Sequence, residues 1–118
     1  VIRQFVFAAF FAGATPAMAD QAVIVHFNHV GAWSDFLQWE PIIEHAVSAA
    51  GYEYDGNELA SDGTDGTIYM YGPDADKLFA VALPELKKAA FLTHKSATLR
   101  YGDVNDLKAV QKTVAIDP

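Results

Sequence analysis

A chain of 118 residues is long enough for one domain and too short for two. It is 52% hydrophobic and 19% charged, which allows a packed core and excludes an intrinsically disordered chain. A net charge of −7 argues against nucleic acid or an anionic membrane surface as partner, and the absence of cysteine removes disulfides, thiolate metal sites and a cysteine nucleophile.

Residues 1–19, VIRQFVFAAFFAGATPAMA, carry the three parts of a secretory signal peptide. Arg3 is the basic region, Phe5 to Ala14 the apolar run, and Ala17-Met18-Ala19 a small-x-small cleavage site after the break at Pro16. The apolar run is too short to span a bilayer. The competing reading is a native N-terminal helix that packs on the domain; the three-part pattern favours the signal. The predicted organisation is a signal peptide over 1–19 and a single domain over 20–118, periplasmic or secreted, with no membrane association after cleavage. Arg3 leaves with the signal, so the mature domain is more acidic still.

Within that domain, Ala22–Phe27 predicts a first strand. Val23, Val25 and Phe27 fall on one face and Ile24, His26 and Asn28 on the other, with Asn28–Gly31 as a loop. Phe36, Trp39, Ile43, Val47 and Ala50 recur at helical spacing, and Gly51 supplies the stop. Pro41 complicates this helix. A regular helix starting near Trp39, with a looser turn from Ser34, puts the proline in the first turn, where it is tolerated. Tyr52–Ala60 predicts a second strand, with Tyr52, Tyr54 and Glu58 to one side of a bulge at Asp55-Gly56.

Ser61–Thr67 reads as a hairpin loop rich in Asp-Gly turn chemistry. Thr67–Tyr71 follows as a third strand, with Ile68 and Met70 on one face and Tyr69 and Tyr71 on the other. After Gly72-Pro73, Asp74 is placed as an N-cap with Asp76 in the first turn, and Leu78, Phe79, Ala82, Leu83 and Leu86 point inward. Pro84 predicts a kink or break near Val81. Ser96–Tyr101 predicts a fourth strand. The tail fits either period; a turn over Asp103–Asp106 and an edge strand near Gln111–Ile116 is the preferred reading.

The order β-α-β-β-α-β plus a tail predicts a ferredoxin-like α+β sandwich, with both helices on one face of an antiparallel sheet and a possible extra edge strand. The other face has nothing in one chain to cover it. It is predicted to carry His26, Tyr69, Tyr71 and Arg100, the candidate ligand or interface residues, and either to stay wet or to pack on a second copy. The runs Glu53–Glu58 (EYDGNE), Asp65–Phe79 (DGTIYMYGPDADKLF) and Leu99–Gly102 (LRYG) together resemble a group of small bacterial ferredoxin-like proteins. That resemblance implies the fold and brings no activity, substrate or catalytic residue with it.

Candidate chemistry is sparse. Asp55, Asn57, Glu58, Asp62 and Asp65 supply hard oxygen ligands, yet their spacing departs from the EF-hand loop and matches ordinary turn positions. Asp74 and Asp76 as an acid–base pair compete with their simpler role at a helix start. His26 and His29 are the candidate metal ligands; three apart on a strand, they share a metal only if the loop turns. No nucleophile elbow, glycine-rich phosphate loop or cofactor motif is present. The predicted function is therefore a non-enzymatic module that binds a protein or forms a homodimer. The alternatives are a dimeric α/β-barrel-type small-molecule-binding protein or enzyme, with a pocket between sheet and helices, and a periplasmic metal-binding protein.

Overall fold

The structure is a computed structural model, and it describes residues 20–29, 31–103 and 105–116. The expected signal peptide lies outside the described residues. The elements in chain order are β1 (Gln21–His29), α1 (Trp33–Ala49), β2 (Glu53–Leu59), β3 (Asp65–Gly72), α2 (Ala75–Lys88), β4 (Leu92–Arg100) and β5 (Gln111–Ile116). The strands form one sheet in the order β2-β3-β1-β4-β5, with every neighbouring pair antiparallel. The chain is thus a mixed α+β domain with two helices and a five-stranded sheet. No helix among the described residues is long and apolar enough to cross a membrane.

Alternation along β1 sends Val23, Val25 and Phe27 to the helix side, where they meet Ile68 and Met70 of β3 and Ala97 and Leu99 of β4 in one core. The helices complete it with Phe36, Trp39, Ile43 and Val47 from α1 and Leu78, Ala82 and Leu86 from α2. The Trp39 indole N–H donates to the Glu85 carbonyl at 3.1 Å, tying the helices together. Among the described residues these side chains fill the space between sheet and helices.

The long helix differs from expectation. It starts at Trp33 and runs through Pro41 to Ala49, rather than beginning near Trp39. An interior proline costs roughly 3 kcal/mol. A start at Trp39 would leave Phe36 and the first turn of Trp39 unanchored, and burying two such aromatics is worth about 1.5–3 kcal/mol each. Core burial wins, with Pro41 on the exposed side. The same holds in α2, which continues through Pro84 without the break expected near Val81.

Helix ends follow the sequence closely. Gly51 N–H donates to the Ser48 carbonyl at 3.0 Å and Tyr52 N–H to the Val47 carbonyl at 3.1 Å, a Schellman stop with Gly51 at φ 89°. Asp74 caps α2 by accepting from Lys77 N–H at 3.1 Å.

Two bulges break the regular alternation. The β2–β3 register shifts between Tyr54 and Asn57, where Gly56 adopts φ 96°. This corrects one expectation: Tyr54 and Glu58 lie on opposite faces, because the extra residue reverses the alternation between them. Tyr54 turns to the helices and, with Asn57, donates to the Glu40 carboxylate, both at 2.7 Å. Glu58 turns away from them, paired with Thr67. The second bulge lies in β4. His26 pairs with Ser96 and Asn28 with Thr93, so Phe27 alone faces both His94 and Lys95.

Candidate functional site

The sheet face away from the helices is organised in cross-strand rows. The first row reads Glu53–Tyr71–Ala22–Arg100–Gln111 and the second Tyr69–Ile24–Thr98–Thr113; the third is Glu58–Thr67–His26–Ser96–Ala115. His26, Tyr69, Tyr71 and Arg100 all fall on this face, in three different rows. The Arg100 guanidinium is turned to the loop after β4, where it donates to the Asp103 and Asp106 carbonyls.

Tyr69 hydroxyl donates to Glu58 Oε1 at 2.5 Å. Partial burial, then the Glu58 carboxylate, pushes its pKa up to about 12. A phenol held this far up is a hydrogen-bond donor at neutral pH and a poor general base.

A pocket with a volume of about 340 Å³ lies at the end of this face, beside the β4 bulge. Its lining includes His26, Asn28, Glu58, Asp65, Thr67 and His94. His26 Nδ1 and Thr67 Oγ1 are hydrogen-bonded at 3.0 Å, and Asn28 Nδ2 and His94 Nδ1 at 3.3 Å. His94 sits in the left-handed region at φ 51°, the only non-glycine residue there among those described. Non-glycine residues adopt it at some cost in strain, and bulges of this kind re-aim side chains.

The bulge also reorients Lys95. Its side chain points to the helix side at 3% exposure, and Nζ donates to the Ala89 carbonyl at the end of α2 at 3.0 Å. Burial pushes the lysine pKa down. The favourable end of the helix dipole offsets part of that cost.

The structure does not bring His26 and His29 together. His29 stacks on Trp33 with ring centroids 3.9 Å apart on the helix side of β1, and its Nε2 is buried with no hydrogen-bond partner among the described residues. The second imidazole at the His26 pocket is His94. Sequence spacing could not show this, because His94 reaches that side only through the bulge. Among the described residues no three His, Asp or Glu side chains are grouped to hold a metal ion. Among the hairpin acids Asp62 acts as a turn group: its Oδ1 accepts from the Thr64 N–H at 3.1 Å and hydroxyl at 2.7 Å, which holds its pKa below the usual range.

Comparison with family models, with curated proteins and with solved structures finds no match.

Proposed function

We propose that this chain is an exported, non-enzymatic assembly module in which two copies pack uncovered sheet face to uncovered sheet face. The order β4-β1-β3-β2, with both helices on one side, supports a ferredoxin-like assignment in which β5 extends the β4 edge. The observation that carries the assembly reading is the composition of the uncovered face. Its middle is uncharged and partly apolar, with Ile24 between Tyr69 and Thr98 and Ala22 between Tyr71 and Arg100. Glu53 and Glu58 stand at the β2 margin and Arg100 on the opposite side of β1.

That layout is self-complementary. A two-fold axis along β1 lays each row over its own reverse. Tyr71 then lies over the Arg100 position of the second copy, and Ile24 over its own copy. Five strands spaced about 4.8 Å apart and some six residues long give a flat area of roughly 500 Å². Side-chain relief raises this towards the roughly 800 Å² per partner that a stable interface buries.

The chain has no cysteine, so a single introduced one reports geometry directly. Ile24→Cys is expected to form a disulfide-linked dimer under mild oxidation, while Glu44→Cys, exposed on α1, is not. Cross-linking through Glu44→Cys alone would place the interface on the helices and end this reading. The export element is checked separately: protein recovered from an exporting host is expected to begin at Asp20.

A further inference from the structure

We propose that β5 is a second, weaker contact, through which copies of this chain add edge to edge in one continuous sheet. The inference goes beyond the face-to-face reading and does not depend on it.

The ladder fixes which backbone groups of β5 are spare. Tyr101 N–H donates to the Val110 carbonyl at 2.9 Å, and the β4–β5 register runs on to Ile116 without a shift. Hydrogen-bonded and non-hydrogen-bonded pairs alternate along an antiparallel ladder. Lys112, Val114 and Ile116 therefore turn their N–H and C=O groups to β4, while Gln111, Thr113 and Ala115 turn theirs outward. Among the described residues β5 is the last strand on this side, so the outward groups face no further strand.

The other edge of the sheet is different. β2 is interrupted by the bulge between Tyr54 and Asn57, with Gly56 at φ 96°, and it carries Glu53, Asp55 and Glu58. Bulges and charges of this kind block edge pairing. β5 has neither bulge nor proline. Its one charge, Lys112, lies beside the Tyr101 hydroxyl, on the β4 side of the strand.

The strand is also complementary to itself. A two-fold axis through Thr113, normal to the sheet, runs β5 antiparallel to its copy and keeps the helices of both copies on one side. Thr113 then faces Thr113, Gln111 faces Ala115, Lys112 faces Val114 and Val110 faces Ile116 of the second copy. The outward groups of the two strands meet as hydrogen-bonded pairs, and no like charges stand directly opposite. Val110, 69% exposed in one copy, gains an apolar neighbour. A strand of six residues covers far less than the roughly 800 Å² per partner of a stable interface, so the contact is weak, with a Kd of about 1 mM.

The test removes the face contact first. The chain from Asp20 carrying Ile24→Lys is followed by amide-resolved NMR from about 50 µM to about 2 mM. The amides of Gln111, Thr113 and Ala115 are expected to shift together with concentration, and diffusion to slow towards that of two copies. Thr113→Pro, added to Ile24→Lys, removes an outward N–H and no bond to β4. Thr113→Glu keeps the backbone intact and sets like charges opposite each other across the axis. Each variant, its spectrum reporting its own folding, is expected to weaken association about tenfold. Spectra and diffusion independent of concentration, shifts confined to other surfaces, or undiminished association in both folded variants would overturn the proposal. The face-to-face reading is judged at micromolar concentration, where the edge contact is dissociated, so each can fail without the other.

Discussion

Lys95 shows how one inserted residue in β4 sets the local energetics. Its ammonium is buried with a single carbonyl acceptor, so its folded pKa lies below the unfolded value. The unfolded chain then binds more protons than the folded one as pH approaches the ordinary lysine value, and stability rises over that window. At neutral pH the lysine costs stability. Lys95→Met, of similar length, is expected to raise the thermal midpoint at pH 7 and to abolish the alkaline gain; melts at pH 7 and pH 10 check both.

Glu40 is the opposite case. Its carboxylate accepts from Tyr54 and Asn57 across the space between α1 and the edge strand β2. Burial, then Glu40, holds the Tyr54 hydroxyl well above the usual phenol range. Glu40→Ala leaves two half-buried donors without this acceptor. It is expected to destabilise the fold by about 2–3 kcal/mol and to bring the Tyr54 ionisation down. Denaturant unfolding and ultraviolet pH titration read the two effects.

At the scale of elements, the sequence was most informative where a rule is local. Asp74 as N-cap, Gly51 as helix stop and the bulge at Gly56 are all legible from residue type and neighbours, and β5 at Gln111–Ile116 matches the preferred of two readings of the tail. It was least informative where tertiary burial overrides a local penalty. Pro41 and Pro84 both read as helix boundaries, and both sit inside continuous helices because the apolar stripe extends past them. A consequence can be measured. Pro41 lacks the N–H that would bond the Leu37 carbonyl, so Pro41→Ala is expected to stabilise the domain, by up to about 3 kcal/mol, with no change in fold. A lower thermal midpoint would mean that the proline is held by contacts beyond the helix ladder.

The candidate site was legible in part for the same reason. Period-two alternation correctly put His26, Tyr69, Tyr71 and Arg100 on one face. It could not show that His94 joins them, because alternation counts residues and a bulge adds one without a marker in residue type: no glycine stands at His94 to announce the left-handed turn. His29, three residues after His26, is carried to the helix side and stacks on Trp33. The pocket therefore pairs His26 with an imidazole 68 residues away in the chain, not with the one nearby.

For the whole molecule, one face of the sheet carries the core and the other is the proposed assembly surface. A two-layer α+β domain buries one sheet face and leaves the second to solvent or to a partner. Here that second face is uncharged in its middle row, with Glu53 and Glu58 at the β2 edge, in a chain whose net charge of −7 would otherwise keep copies apart. Sedimentation equilibrium on the chain from Asp20, run beside Ile24→Lys, tests this most directly. The mass of two copies is expected for the unmodified chain and of one for Ile24→Lys, whose buried ammonium would face its own copy across the axis. A single-copy mass for the unmodified chain at micromolar concentrations, or an undiminished dimer in Ile24→Lys, would contradict it.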